Sequence, residues 1–347
     1  MMKADKRTGR RTVRERFVDG GGMVTPSYLF NEAVELFLSV KRASNLKERT
    51  LKGYALNLRY YSEWLTSNYG NMNADQITIQ ILREHVVWCV DEKPYYEHHP
   101  FKSEVDKGRI GISPASVNVR IRVLKTFFAT LQQEGIISKN PADNLSLMRV
   151  DEDTVQPLTE EEIKLLLASP NQKYFSQFRD YVIMILMLDT GMRLNEVCSL
   201  EIRDVDFKSR QIILPAIKNK NRKTRLLPLS SETIKLLMQL ITETKEYFDS
   251  SFVFATNYGE AVNEKTIQKA FQKYARQAGI KKRVSPHVLR HNFAKMAALN
   301  GMDIFTLMRI LGHSDISTTR KYVQINDEDV KRQHMQFSPL QRIVKRK

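Results

Sequence analysis

The sequence predicts a mainly α-helical protein of two domains, with a few strands confined to the second. Three observations carry that prediction. The chain has 347 residues, which suits two domains at roughly 150 residues each. Apolar residues recur at three- and four-residue spacing through most of it, as on helix faces. Short aliphatic runs of strand length flank a basic segment only after residue 200.

Residues 1–25 are basic, have little apolar periodicity and carry three glycines at 20–22. A flexible arm is expected, either tracking a polyanion or simply solvated. Residues 26–139 read as a four-helix-type domain. Leu29, Ala33, Leu36 and Phe37 form one stripe, Tyr54, Leu58, Tyr61 and Leu65 a second, and Ile77–Val90 a third. Ser113 and Pro114 then supply an N-cap and a first-turn proline. The helix after them runs through Val117, Ile121, Leu124, Phe127, Phe128 and Leu131 and stops at Gly135. Residues 92–112, rich in Pro, Gly, His and charge, read as a loop.

A linker is expected over 140–156, with Pro141 and the acids Asp151, Glu152 and Asp153. The second domain, 157–326, opens on Thr159-Glu-Glu-Glu162, a capping box. Helices are expected over about Phe175–Leu188, from Arg193 to Leu200, and over Asn263–Ala278, Pro286–Asn300, Asp303–Leu311 and Thr318–Tyr322. Gln211–Leu214 and Thr224–Leu229 read as strands joined by a basic loop, Lys218 to Lys223, and Phe252–Ala255 as a third. Residues 327–347 form a tail.

The chain holds 55 Lys and Arg against 39 Asp and Glu, a net charge of +16. The excess is +4 in residues 1–25, zero in 26–156 and +12 in 157–347. Such surfaces meet polyanions; the alternative is a merely basic protein. Cys89 and Cys198 are the only cysteines, too few for a disulfide scaffold or a four-cysteine zinc site. His98, His99 and Cys89 have poor spacing for a metal, so none is expected. No apolar run reaches the roughly 18 to 20 residues that cross a bilayer, and the basic N-terminus lacks the apolar stretch of a secretory signal. A cytoplasmic protein without membrane contact is the expectation.

Four segments stand out: Thr190-Gly-Met-Arg193-Leu-Asn-Glu196, the basic loop around Lys220, Ser285-Pro-His287-Val-Leu-Arg290-His291, and Leu311-Gly-His313 followed by Thr318-Thr-Arg-Lys-Tyr322. In His287-x-x-Arg290 the spacing puts both side chains on one helix face. Ser285 and Pro286 set His287 in the first turn, where free amides and the helix dipole favour an anion. Two guanidiniums on one phosphate would stabilise a pentacoordinate transition state. Tyr322 lies among Arg320 and Lys321 rather than in an apolar stripe, and a phenol needs such cations to become a nucleophile.

In combination these segments resemble the tyrosine recombinase (phage integrase) family, over 157–330 and more loosely over the helical domain. The resemblance implies an N-terminal SAM-like core-binding domain and a mixed α+β catalytic domain with a small antiparallel sheet. Together they would form a C-shaped clamp on DNA. It implies that Tyr322 attacks a scissile phosphate to give a 3′-phosphotyrosyl link, with no cofactor, metal or ATP. By position, Arg193 and Arg290 match the phosphate-binding arginines, His287 a proton-transfer residue, and His313 a residue on the phosphate or behind the tyrosine. Lys220 matches the lysine that protonates the leaving oxygen, with Lys218 and Lys223 as rivals. The glycines that usually flank this lysine are replaced by Asn219 and Asn221. Glu196 either orients Arg193 or is a surface charge.

Arg120, Arg122, Lys125, Lys218, Arg222 and Lys223 are the expected DNA contacts. The implied partners are double-stranded DNA with a core site, a homotetramer on two sites, and an accessory bending or directionality factor. The tail would pack on a neighbouring protomer or on its own domain. With about 25 residues before the helical domain, no large arm-binding domain is expected, which argues for a simpler recombinase than the heterobivalent phage integrases. The non-minimal N-terminal arm and the 92–112 insertion favour mobile-element integration or excision. The alternatives are chromosome-dimer resolution, a type IB topoisomerase, or a non-cleaving DNA-binding protein on the same fold.

Overall fold

The computed structural model describes residues 27–94, 109–150, 156–218, 223–320 and 322, with Lys331, His334, Met335, Ser338 and Leu340. The chain divides into two compact units, Met1–Glu152 and Asp153–Lys347. The basic arm, His98 and His99, and most of the tail lie outside the described residues.

The first unit holds four α-helices among the described residues: α1 (Phe30–Ala43), α2 (Glu48–Tyr69), α3 (Ile79–Asp91) and α4 (Pro114–Gln133). Local chemistry sets their ends. The Thr78 hydroxyl accepts from the Ile81 N–H at the start of α3, and Ser113 does the same for Ser116 ahead of Pro114. The stripes seen in sequence converge on one aromatic core. Phe30, Phe37, Tyr61, Phe127 and Phe128 are all buried, and the Phe127 ring contacts Phe30, Phe37 and Phe128 at centroid separations of 5.2, 5.4 and 4.9 Å.

The second unit begins with α5 (Glu160–Ala168), whose capping box forms as expected: the Thr159 hydroxyl accepts from Glu162 N–H and the Glu162 carboxylate from Thr159 N–H. There follow α6 (Phe175–Thr190), α7 (Leu194–Cys198), strands β1 (Val205–Asp206), β2 (Gln211–Leu214) and β3 (Arg225–Pro228), then α8 (Ser231–Phe248), α9 (Glu264–Gln277), α10 (Pro286–Leu299), α11 (Ile304–Leu311) and α12 (Ile316–Arg320). The sheet is antiparallel in the order β1-β2-β3, with Leu214 opposite Arg225 and Gln211 opposite Pro228. Helix α6 runs through the core with Val182, Ile183, Met184, Leu186 and Met187 buried.

Two readings need correction. Phe252–Ala255 is not a strand; Phe252 and Ala255 make only isolated bridges, to Glu201 and Ala261, and the third strand is Val205–Asp206. The run Phe-Val-Phe-Ala is apolar because Val253, Phe254 and Ala255 are fully buried, and burial alone imitates a strand signal. Helix α8 was not read from the sequence. Its signals were Ser230 as N-cap, accepting from Thr233 N–H, and buried Ile234, Leu237, Leu240 and Ile241 at helical spacing. Among the described residues no helix is long and apolar enough to cross a membrane.

Candidate functional site

Two left-handed turns build the site. Helix α6 ends on Gly191 (φ 61°) and α11 on Gly312 (φ 63°), a conformation that costs glycine little. Both positions are also too tight for a side chain. A Cβ on Gly191 would lie 2.4 Å from the Phe293 ring, and one on Gly312 2.2 Å from Nη1 of Arg225. The two turns bring Arg193, at the start of α7, beside Arg290, one turn into α10.

The carbonyl end of α11 receives the guanidiniums. Leu311 O accepts from Arg290 Nη2 at 2.7 Å and from Arg225 Nη1 at 3.2 Å. Gly312 O accepts from Arg193 Nη2 at 3.1 Å. Arg290 Nη1 also donates to Gly191 O. The negative end of the helix dipole therefore faces the arginines. Arg225 was missed as a site residue. The alternation of β3 turns it inward with Leu227, and a charge at an inward strand position is the signal that could have found it.

Glu196 is the hub. It is 0% exposed, so it is not a surface charge. Its carboxylate accepts from the Arg193 N–H at 3.0 Å and from Arg193 Nη1 at 3.0 Å, and from Arg225 Nη2 at 2.6 Å. Burial alone would push this carboxyl up; Arg225 first, then the Arg193 amide and guanidinium, hold it below its usual range. Two guanidiniums are bonded to one carboxylate and a third, Arg290, lies near them, which leaves positive charge uncompensated. Burial, then the Arg193 guanidinium, depress Arg290 to about 10, still charged at neutral pH. Crowded, partly uncompensated guanidiniums attract an anion.

His313 sits against this group. Its Nε2 is 2.9 Å from Arg290 Nη2 and its Nδ1 is 2.8 Å from the Thr319 hydroxyl. Burial, then Arg290, Arg193 and Arg225, push it down to about 4, so it is neutral at pH 7. Tyr322 follows α12, with its N–H bonded to Thr319 O at 3.0 Å. Its ring packs against a small apolar cluster that includes Phe293, Leu307 and Leu311, and meets His291 edge-on at 4.9 Å. His287 is exposed in the first turn of α10. Arg193 is bonded directly to Glu196 and Arg290 to His313, the two pairs meet at the adjacent carbonyls of Gly312 and Leu311, and Tyr322 packs against the apolar cluster that includes Leu311. Lys220 lies outside the described residues.

The expected DNA contacts fare unevenly. Arg120 is a correction: it is buried, donating to Cys89 Sγ at 3.4 Å and lying over the Tyr60 ring at 4.9 Å. Its position among apolar residues of α4 reflects an inward face. Lys125 is also internally engaged, donating to the carbonyls of Ala142, Asp143 and Leu145 at 3.1, 2.9 and 3.0 Å. Lys218 is held by Glu201 and Asp204, both at 2.7 Å. Arg122 and Lys223 are exposed, and Arg222 lies outside the described residues. No group of three potential metal ligands occurs among the described residues.

Residues 156–329 match the phage integrase family. The tyrosine recombinase XerC of Chlamydia caviae is 28% identical over 227 residues, 65% of this chain and 72% of that protein. The tyrosine recombinase XerD of Staphylococcus epidermidis is 25% identical over 314 residues, 89% of this chain and 99% of that protein. Among solved structures, the Tn1549 transposon integrase in complex with circular intermediate DNA shares the fold with a TM-score of 0.69 at 22% identity, covering 89% of this chain and 99% of that one.

Proposed function

Since the chain belongs to the phage integrase family of tyrosine recombinases, we propose that Arg193, Arg290 and His313, gathered at the carbonyl end of α11, bind the scissile phosphate of a DNA core site. Tyr322 is the nucleophile. The observation that carries this reading is the meeting of three guanidiniums at the carbonyl end of α11, two of them on a single buried carboxylate, with Tyr322 packed against the apolar cluster that includes Leu311.

A guanidinium has five N–H groups. Two of those on Arg193 are engaged by protein atoms and three of those on Arg290. Each keeps donors for phosphate oxygens, held in place by its bonds to backbone carbonyls. The Tyr322 phenol oxygen bonds to phosphorus as the bond to the 5′-oxygen breaks. His287 assists removal of the phenol proton, and Lys220 supplies a proton to the leaving oxygen. The product is a 3′-phosphotyrosyl link and a free 5′-hydroxyl; attack by the partner strand's 5′-hydroxyl reverses the step. The link retains the energy of the phosphodiester, so resealing needs no nucleotide. Glu196 positions both Arg193 and Arg225.

A homotetramer on two core sites is the assembly proposed for strand exchange, with an accessory DNA-bending or directionality factor as a further partner. Movement of a mobile element is the proposed role. The likeness to XerC and XerD proteins supports a second role, resolution of chromosome dimers.

The test is covalent capture. Nicked suicide duplexes from a randomised pool, incubated with the full chain in EDTA, are expected to yield a protein–DNA adduct that Tyr322→Phe abolishes. A metal requirement, or an adduct that survives the substitution, refutes the reading. The captured sequence also separates the roles: a site at the ends of the element that carries the gene supports the first, a single chromosomal site the second.

A further inference from the structure

We propose that Thr319 is a positioning residue that sets where His313 carries its proton and ties that choice to the placement of Tyr322. The proposal rests on the recombinase reading above and deepens it. A guanidinium donates and never accepts, so the 2.9 Å contact from Arg290 Nη2 makes His313 Nε2 an acceptor, bare of hydrogen. The neutral ring has one proton, which therefore sits on Nδ1 and is donated to the Thr319 hydroxyl at 2.8 Å. Thr319 is fully buried, and its own carbonyl accepts the Tyr322 N–H at 3.0 Å. One residue thus holds the histidine through its side chain and the nucleophile through its backbone.

The chemistry of a hydroxyl gives this arrangement its use. A phosphate oxygen only accepts. Once a phosphate replaces Arg290 in front of Nε2, His313 can bond it only with a proton on Nε2. Nδ1 must then accept, and the Thr319 O–H rotates to donate to it. The exchange carries no net charge: one proton leaves Nδ1 for water and one reaches Nε2 from water. Serine at 319 preserves both modes. Valine keeps the shape and supplies neither.

The experiment uses the full chain with 15N-labelled histidine, His313 being assigned by His313→Gln. The expected result for the free protein is a protonated Nδ1 and a bare Nε2, exchanged on binding the captured nicked duplex in wild type and in Thr319→Ser. Thr319→Val is expected to lower the rate of adduct formation about tenfold, the size of one lost hydrogen bond, with DNA affinity unchanged. Thr319→Ser is expected to keep the wild-type rate. A free protein protonated at Nε2, a wild-type adduct rate in Thr319→Val, or a Thr319→Ser as slow as Thr319→Val overturns the proposal. If Thr319→Val does not fold, the wild-type and Thr319→Ser spectra decide alone. Tyr322→Phe in the same assay separates the two levels: an adduct there refutes the recombinase reading, whereas its loss beside an unimpaired Thr319→Val refutes only the role of Thr319.

Discussion

Replacing Glu196 by glutamine removes one charge and almost no volume, and the structure predicts a large effect. The carboxylate is completely buried and accepts from Arg193 and Arg225. Breaking a buried pair by deleting one partner costs about 3–5 kcal/mol, because the other charge is left uncompensated. For a unit spanning Asp153–Lys347, each kcal/mol shifts the midpoint by roughly 2–4 °C. The transition of that unit should therefore fall by roughly 6–20 °C. Scanning calorimetry in chloride and in sulfate provides the assay. Sulfate should recover part of the loss, since guanidiniums without a counter-charge bind an anion more tightly and binding to the native state stabilises it. The pH dependence has a definite sign. The Glu196 carboxyl titrates below its ordinary 4.5 in the folded chain. Its contribution is thus complete above pH 4.5 and is lost as pH falls through the folded value. Wild type and Glu196→Gln should accordingly converge in acid. A midpoint within about 2 °C of wild type at pH 7, or a gap that widens on acidification, would refute the reasoning.

Three further outcomes follow from the geometry. Gly312→Ala forces a side chain into a left-handed turn and onto Nη1 of Arg225, 2.2 Å from the new Cβ; a loss of at least about 1 kcal/mol is expected in urea unfolding, together with slower covalent capture. Arg122→Ala should lower the slope of log affinity against log salt by about one. Lys125→Ala should leave that slope unchanged and instead destabilise the first unit, because its ammonium binds three backbone carbonyls.

Much of this architecture is legible in the sequence because its signals are local. The capping box at Thr159, the Ser285-Pro286 start of α10 and the i, i+3 relation of His287 and Arg290 depend on neighbours within one turn. What escaped notice depends on contacts between distant segments. Arg225 reaches Glu196 across 29 residues and Leu311 across 86, and its one local cue is an inward position in the alternation of β3. Glu196 was left open between two roles for the same reason. Arg120 was misread because periodicity locates a face without saying whether a long basic side chain on it turns in or out. Thr319 went unremarked among polar residues, since its partner is a ring nitrogen brought to it by the turn at Gly312.

The Gly312 turn also imposes an order on how the protein comes into being. Arg193 takes its bond from a carbonyl 119 residues further along the chain, and Arg290 and Arg225 both use Leu311 O. A chain still emerging from the ribosome has all three arginines before it has the acceptors that aim them. The acceptors that aim the three arginines therefore appear only with Leu311 and Gly312, shortly before Tyr322, the proposed nucleophile. A chain cut short before Leu311 keeps the positive charge that attracts DNA while lacking the means to act on it.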